Sequence, residues 1–251
     1  MRVKFKIRLS GFFSGLRYKI LTAAHFTALG DDPRIAAPPS RKAVMVSDKF
    51  KGRIMKNLAL VMFSGQTHLD FVGFYDCMLR LKAVRPQFEM RFCSRERQVL
   101  DSGGLTIDAG EITTDLGGFD AVFVPGGMET RRLKDDAGFI SWLATARDAK
   151  YKFSVCTGSL LLGAAGFLRG RRATTHPFCY DLLAPYCADV VHERLVRESL
   201  PAGGEIITAG GVSSSIELGL CVIEKFAGAS AREAAAMAMD YPYYGASGGR
   251  I

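Results

Sequence analysis

From residue 57 onward the chain alternates short apolar runs with longer amphipathic ones, the pattern of a parallel sheet joined by crossover helices. Leu58 to Phe63 reads as a buried strand, Asp70 to Val84 as a helix stopped by Pro86, and Phe88 to Ser94 as a second strand. A Gly-rich polar interval, Asp101 to Gly118, has room for a small hairpin and leads to the strand Ala121 to Val124, which Pro125-Gly126-Gly127 ends. A helix from Ala137 to Lys150 precedes the strand Phe153 to Val155, which passes directly into a helix from Thr157 to Ala165. A short strand at Ala173 to Thr175, a strand at Glu205 to Ala209, and helices at Ser214 to Phe226 and Ala231 to Asp240 complete the pattern. With no internal repeat, this predicts one doubly wound α/β domain over residues 57–241 and a short tail over 242–251.

Residues 1–56 differ in kind. They hold 13 Lys or Arg against 3 Asp or Glu, and no core period is sustained. They read as a disordered extension or as a leader ahead of a start at Met55; an Arg-rich, acid-poor targeting or membrane-surface arm is the alternative. The net charge of +8 suggests nucleic acid until it is located, because the remainder of the chain is left with 20 basic and 22 acidic residues. The folded domain is therefore expected to bind neither nucleic acid nor membrane, and no stretch approaches the roughly 20 apolar residues of a bilayer span. The six cysteines form no CxxC pair and lie at no zinc-like spacing from histidine. That points to reduced thiols, a cytoplasmic location and no metal.

The chemistry concentrates at Phe153-Ser154-Val155-Cys156-Thr157-Gly158, where a buried strand becomes a helix within one residue. Such a junction forces a strained turn and projects its central side chain past the strand ends, where open α/β sheets bind ligands. Cys156 occupies that point, and a helix N-terminus beside it is expected to favour thiolate over thiol. The competing reading, a small buried hydrophobe, suits Cys93 and Cys221 better, since both lie inside apolar stretches. Val124-Pro125-Gly126-Gly127 supplies a second strand end, from which the Gly127 N–H, with that of Thr157, is expected to form an oxyanion hole. A plain tight turn is the alternative there.

Together with Leu168 to His176 and Thr208-Ala209-Gly210-Gly211-Val212, these residues resemble the ThiJ/PfpI superfamily, related in fold to class I glutamine amidotransferases. The resemblance implies a flavodoxin-like sandwich, a homodimer, a nucleophilic cysteine at the elbow and an acid after the first strand, here Asp70 in Thr67-His68-Leu69-Asp70-Phe71. The surroundings of Asp70, the Thr157 after the cysteine and the run Arg171 to His176 are most similar to the isonitrile hydratase branch, which works with Asp, Cys and Thr. That implies Asp70, Cys156 and Thr157 as catalytic residues, a small-molecule substrate and no cofactor, with Gly126, His68 and Phe71 beside the substrate. For Asp70 a helix N-cap role is the competing reading, and for His68 a solvent-facing loop position.

Two positions pull toward the glyoxalase and deglycase branch or away from it. Pro177 after His176 is typical of that branch, in which the histidine assists the cysteine, whereas Asp at position 70 departs from its usual Glu. His176 is therefore either a partner of Cys156 or a hydrogen-bonded structural residue. Three functions stand side by side: hydration of an isonitrile, a glyoxalase- or deglycase-like reaction on 2-oxoaldehydes, and a stress protein whose Cys156 is oxidised.

Overall fold

The computed structural model describes residues 55–243. The expectations for residues 1–54 and for most of the C-terminal tail lie outside the described residues.

In chain order the first half contains β1 (Asn57–Met62), α1 (His68–Val84), β2 (Glu89–Ser94), β3 (Gln98–Leu100), β4 (Thr106–Asp108), β5 (Ala121–Val124), α2 (Thr130–Leu133) and α3 (Ala137–Ala144). The second half contains β6 (Tyr151–Val155), α4 (Gly158–Ala164), β7 (Arg172–Ala173), α5 (Tyr180–Leu183), β8 (Asp189–Val190), β9 (Leu195–Ser199), β10 (Glu205–Ala209), α6 (Ser214–Ala227) and α7 (Ala229–Ala238). A six-stranded sheet runs β2-β1-β5-β6-β10-β9. Its first five strands pair in parallel, and β9 closes the far edge antiparallel to β10. The fold is the doubly wound α/β domain read from the sequence.

Alternation along the strands sends side chains into two cores. Leu58, Leu60, Met62, Phe123 and Phe153 join Phe71, Phe74 of α1 and Leu218, Val222 and Phe226 of α6 on one face. Ala59, Val61, Val122 and Val124 meet Trp142 and Leu143 of α3 and Leu160 to Leu162 of α4 on the other. Phe74 stacks flat on Phe123 with ring centroids 4.0 Å apart, so truncating either to Ala is expected to cost roughly 3–5 kcal/mol.

Several boundaries differ from the sequence pattern for identifiable reasons. The helix expected to Lys150 is α-helical only to Ala144 and tightens into a 3₁₀ turn over Thr145–Asp148. There the Thr145 hydroxyl donates to the Trp142 carbonyl and accepts from the Leu116 N–H. The hairpin β3/β4 begins ahead of the interval expected to hold it, and the strand expected at Ala173 to Thr175 is the shorter β7, paired with β8. The sequence pattern missed β9 because only Leu195 and Val196 of its five residues are apolar; Arg197 and Lys225 both pair with the buried Glu205 of β10, at 2.9 and 3.0 Å.

The chain leaves β1 for β2 on one side and returns to β5 on the other, so the direction of winding reverses between β1 and β5. Crevices at such a reversal, beyond the carboxyl ends of the strands, are where open sheets take ligands. Asp70 follows β1, Gly126 and Gly127 follow β5, and Cys156 follows β6.

Candidate active site

β6 ends at Val155 and α4 begins at Gly158, leaving two residues for the reversal. Cys156 takes φ +54°, one of two positive φ values at non-glycine residues among the described residues. That region is strained for a residue with a Cβ, and it persists only where surrounding bonds fix it. Four do so here. The Cys156 N–H donates to the carbonyls of Gly210 at 2.7 Å and Ala209 at 3.1 Å. Its own carbonyl accepts from the hydroxyls of Thr175 at 2.9 Å and Ser159 at 3.2 Å. Gly158 makes the turn possible, since a Cβ there would lie 2.3 Å from the Val124 carbonyl oxygen.

Asp70 lies in the first turn of α1, whose N-cap is Thr67. It is therefore not the helix cap; its Oδ2 accepts the Gly126 N–H at 2.9 Å, while Oδ1 is buried without a hydrogen-bond partner among the described residues. Gly126 is the close-packing point of the site: a Cβ on it would lie 2.6 Å from the Thr157 nitrogen, 2.7 Å from Cys156 Cβ and 2.8 Å from Asp70 Oδ2. A residue without a side chain thus lets three connections converge. Burial pushes the Asp70 carboxyl up to about 7, against the opposing hydrogen bonds from Gly126 and the Cys156 thiol.

The expected ready thiolate is corrected by the structure. Burial, followed by the charge of Asp70, pushes the Cys156 thiol up to about 12, outweighing the Thr157 backbone N–H and hydroxyl that favour the thiolate. The helix terminus acts in the predicted direction, but α4 has only seven residues and the sulfur is withdrawn from water. The resting group is a thiol beside a carboxyl that titrates near neutrality.

The oxyanion hole is also not assembled as expected. The Gly127 N–H is taken by the Thr157 hydroxyl at 3.0 Å, and that hydroxyl donates back to the Gly127 carbonyl, also at 3.0 Å. Thr157 thereby clasps the ends of β5 and β6 together. Gly126, expected beside the substrate, instead holds Asp70.

Three further expectations move. His68 is buried, with Nδ1 3.3 Å from the Gln66 side-chain nitrogen and Nε2 2.8 Å from the Leu105 carbonyl, so it ties the β3/β4 hairpin to α1 and both ring nitrogens are engaged. Phe71 does not line an open pocket, because its ring packs in the core against Tyr75, Phe92 and Phe123. His176 accepts the Phe178 N–H on Nδ1 at 3.2 Å, capping the 3₁₀ turn Pro177–Cys179, and its other ring edge faces Gly211. The groups acting on the Cys156 thiol are Asp70, Thr157 and Cys179.

A model of the DJ-1/PfpI family matches residues 58–225. The chain belongs to the DJ-1/PfpI family. Among curated DJ-1/PfpI relatives, isonitrile hydratase of Pseudomonas putida is 31% identical over 185 residues, spanning 73% of this chain and 78% of that protein. The crystal structure of a ThiJ/PfpI family protein from Pseudomonas syringae superposes with a TM-score of 0.68 at 27% identity, covering 83% of each chain. Drosophila melanogaster DJ-1beta shares the fold, with a TM-score of 0.63 at 18% identity over 76% of this chain and 100% of that one.

Within this DJ-1/PfpI elbow the sequence reading missed Thr175, which fixes the Cys156 carbonyl, and Cys179, a buried thiol near the elbow. Thr175 stands in the run Arg171 to His176, and nothing local marks its hydroxyl as a partner for residue 156. No group of three or more His, Cys, Asp or Glu among the described residues could hold a metal ion, and no helix among them is long and apolar enough to cross a membrane.

Proposed function

We propose that this chain is an isonitrile hydratase-like enzyme that converts an isocyanide to an N-substituted formamide through a thioimidate on Cys156. The observation that carries this reading is the buried Asp70 carboxyl, poised near pH 7 beside the elbow thiol and held there by Gly126. Similarity to an isonitrile hydratase over most of both chains supports it.

An isocyanide carbon must gain both a proton and a nucleophile. In the proposed reaction, ionised Asp70 takes the thiol proton of Cys156 and passes it to the terminal carbon as sulfur bonds to that carbon. The product of this step is an N-substituted thioimidate, with the C–H and C–S bonds formed and the S–H bond broken. Water then adds to the thioimidate carbon, its proton moving through Asp70 to nitrogen. The tetrahedral adduct expels sulfur, the hydroxyl proton returns to the thiol, and one water has been consumed for each formamide released. Thr157 keeps the strand ends clasped while its N–H stabilises the sulfur anion that forms in passing. A thiol that ionises only at high pH is compatible with this scheme, because proton removal and carbon–sulfur bonding are coupled.

The glyoxalase-like alternative needs His176 on the thiol, whereas that ring caps the Phe178 turn. The test is direct. Purified protein given cyclohexyl isocyanide is expected to yield N-cyclohexylformamide by chromatography, and Cys156→Ala and Asp70→Asn are expected to lose it. Lactate formed from methylglyoxal, with the isocyanide untouched, would overturn the proposal.

A further inference from the structure

Two segments wall the elbow, and each is tied to it by backbone geometry. Residues 127–131 are anchored where Gly127 meets Thr157, and Thr130 continues the turn by donating its hydroxyl to the Gly127 carbonyl at 2.7 Å. Residues 175–179 are anchored where Thr175 bonds the Cys156 carbonyl, and the Cys179 N–H closes the turn on the His176 carbonyl at 2.8 Å. Arg131 spans the gap between the walls. Its guanidinium lies 3.1 Å from Cys179 Sγ and 3.4 Å from Met128 Sδ.

Those are poor partners for a guanidinium, which carries five N–H donors in a planar fork matched to a carboxylate, while sulfur accepts hydrogen bonds only weakly. Arg131 has no acidic partner among the described residues. Its neighbour Arg132 does, pairing with Glu129 and, at 3.7 Å, with Asp136. Arg131 is half-buried, and each of the two segments carries an exposed apolar side chain, Met128 at 68% and Phe178 at 93% accessible. Cys179, the sulfur it touches, is near enough to Cys156 to influence its charge. A cation with unused donors therefore sits on Cys179, between the two segments tied to the elbow.

We infer that Arg131 is a specificity-determining residue that selects substrates bearing a carboxylate for reaction at Cys156. This rests on the reading of Cys156 as the nucleophile, and under the proposed function it makes the preferred substrate an isocyanide that also carries a carboxylic acid.

The experiment compares two alkylating reagents of nearly equal size, anionic iodoacetate and neutral iodoacetamide, on the full chain. Modification is located by peptide mass spectrometry, and the rate ratio at Cys156 is normalised to that at the half-exposed Cys187. Wild type is expected to favour iodoacetate at Cys156. Arg131→Gln is expected to lower the normalised ratio about tenfold, the scale of one charge-assisted hydrogen bond, with iodoacetamide rates little changed. Arg131→Lys is expected to keep most of the preference. A merely structural tie between the walls would move both reagents together, and that result overturns the inference. So does an unchanged ratio in Arg131→Gln, or a Cys156 inert to both reagents.

In parallel, kcat/KM for isocyanoacetate is expected to exceed that for its methyl ester. If neither isocyanide gives formamide while the alkylation ratio behaves as expected, hydration is wrong and the Arg131 assignment stands. If the ester is hydrated as well as the acid and the ratio does not respond to residue 131, the assignment falls and hydration stands.

Discussion

Cys77 and Cys156 are both buried thiols pushed up to about 12, with burial as the main cause and a neighbouring aspartate adding to it in each. Titration alone does not distinguish them; their surroundings do. Cys77 sits mid-helix in α1, its sulfur 3.6 Å from the Ile216 carbonyl and from Met239 Sδ, and its neighbour Asp76 is ion-paired with Arg80 at 2.8 Å near the surface. Cys156 sits on a positive-φ turn beside Asp70, a buried carboxyl with, among the described residues, no cation paired to it and one oxygen unbonded. Under the proposed function, the lesson is that a nucleophilic thiol need not be an acidic one. It needs a base within reach that can hold its proton at working pH.

The sharpest way to break this comparison is to remove each sulfur. Cys156→Ala is expected to lower isocyanide turnover by roughly 10³-fold or more, whereas Cys77→Ala is expected to stay within about threefold of wild type. Next come the two aspartates. Asp70→Asn is expected to lower kcat/KM by about 10²- to 10⁴-fold, and Asp76→Asn to leave it nearly unchanged. Because the proposed reaction needs Asp70 ionised to accept the thiol proton, wild-type kcat/KM is expected to rise with pH through about 7 and then level. A flat profile across that range, measured by formamide release, would detach Asp70 from the chemistry.

A third variant tests convergence. Gly126→Ala drives a methyl into Thr157, Cys156 and Asp70 together, and about a 10²-fold loss in kcat is expected, because small displacements of reacting groups are costly. The smallest effect is on stability and has the opposite sign. Asp70 in the folded protein holds its proton to about 7 against an ordinary value of 3.8, so its ionisation costs nothing below the unfolded value and costs progressively more as pH rises through about 7. Asp70→Asn is therefore expected to raise the melting temperature at pH 8 by several degrees, with the gain shrinking toward pH 4.

The sequence carried the fold well where burial dictated the pattern. The strands Ala121–Val124 and Glu205–Ala209 have the expected bounds, as their residues are all buried and bracketed by turn residues. It carried the placement of Cys156 for the same reason, since a strand meeting a helix without a loop has few conformations open to it. What it did not carry depends on distance in space. Nothing near position 126 announces that its N–H serves residue 70, or that the hydroxyl of residue 157 uses up the Gly127 N–H. The thiolate expectation weighed a helix terminus, which is local, and could not weigh desolvation, which is not. His68 and Phe71 were drawn to the substrate by their nearness to Asp70, but helical geometry turns their side chains to the hairpin and the core.

The sheet has two outer rims, and both are salted with ionic groups. Glu89 and Arg91 are exposed along β2, while on β9 Arg197 reaches Glu205 and Glu198 reaches Arg172. A second molecule extending the sheet at either rim would have to place its backbone among those charges, a device that discourages runaway edge-to-edge growth. Fibril formation should accordingly be slow at neutral pH and low salt, and should quicken when the acids at the rims are discharged.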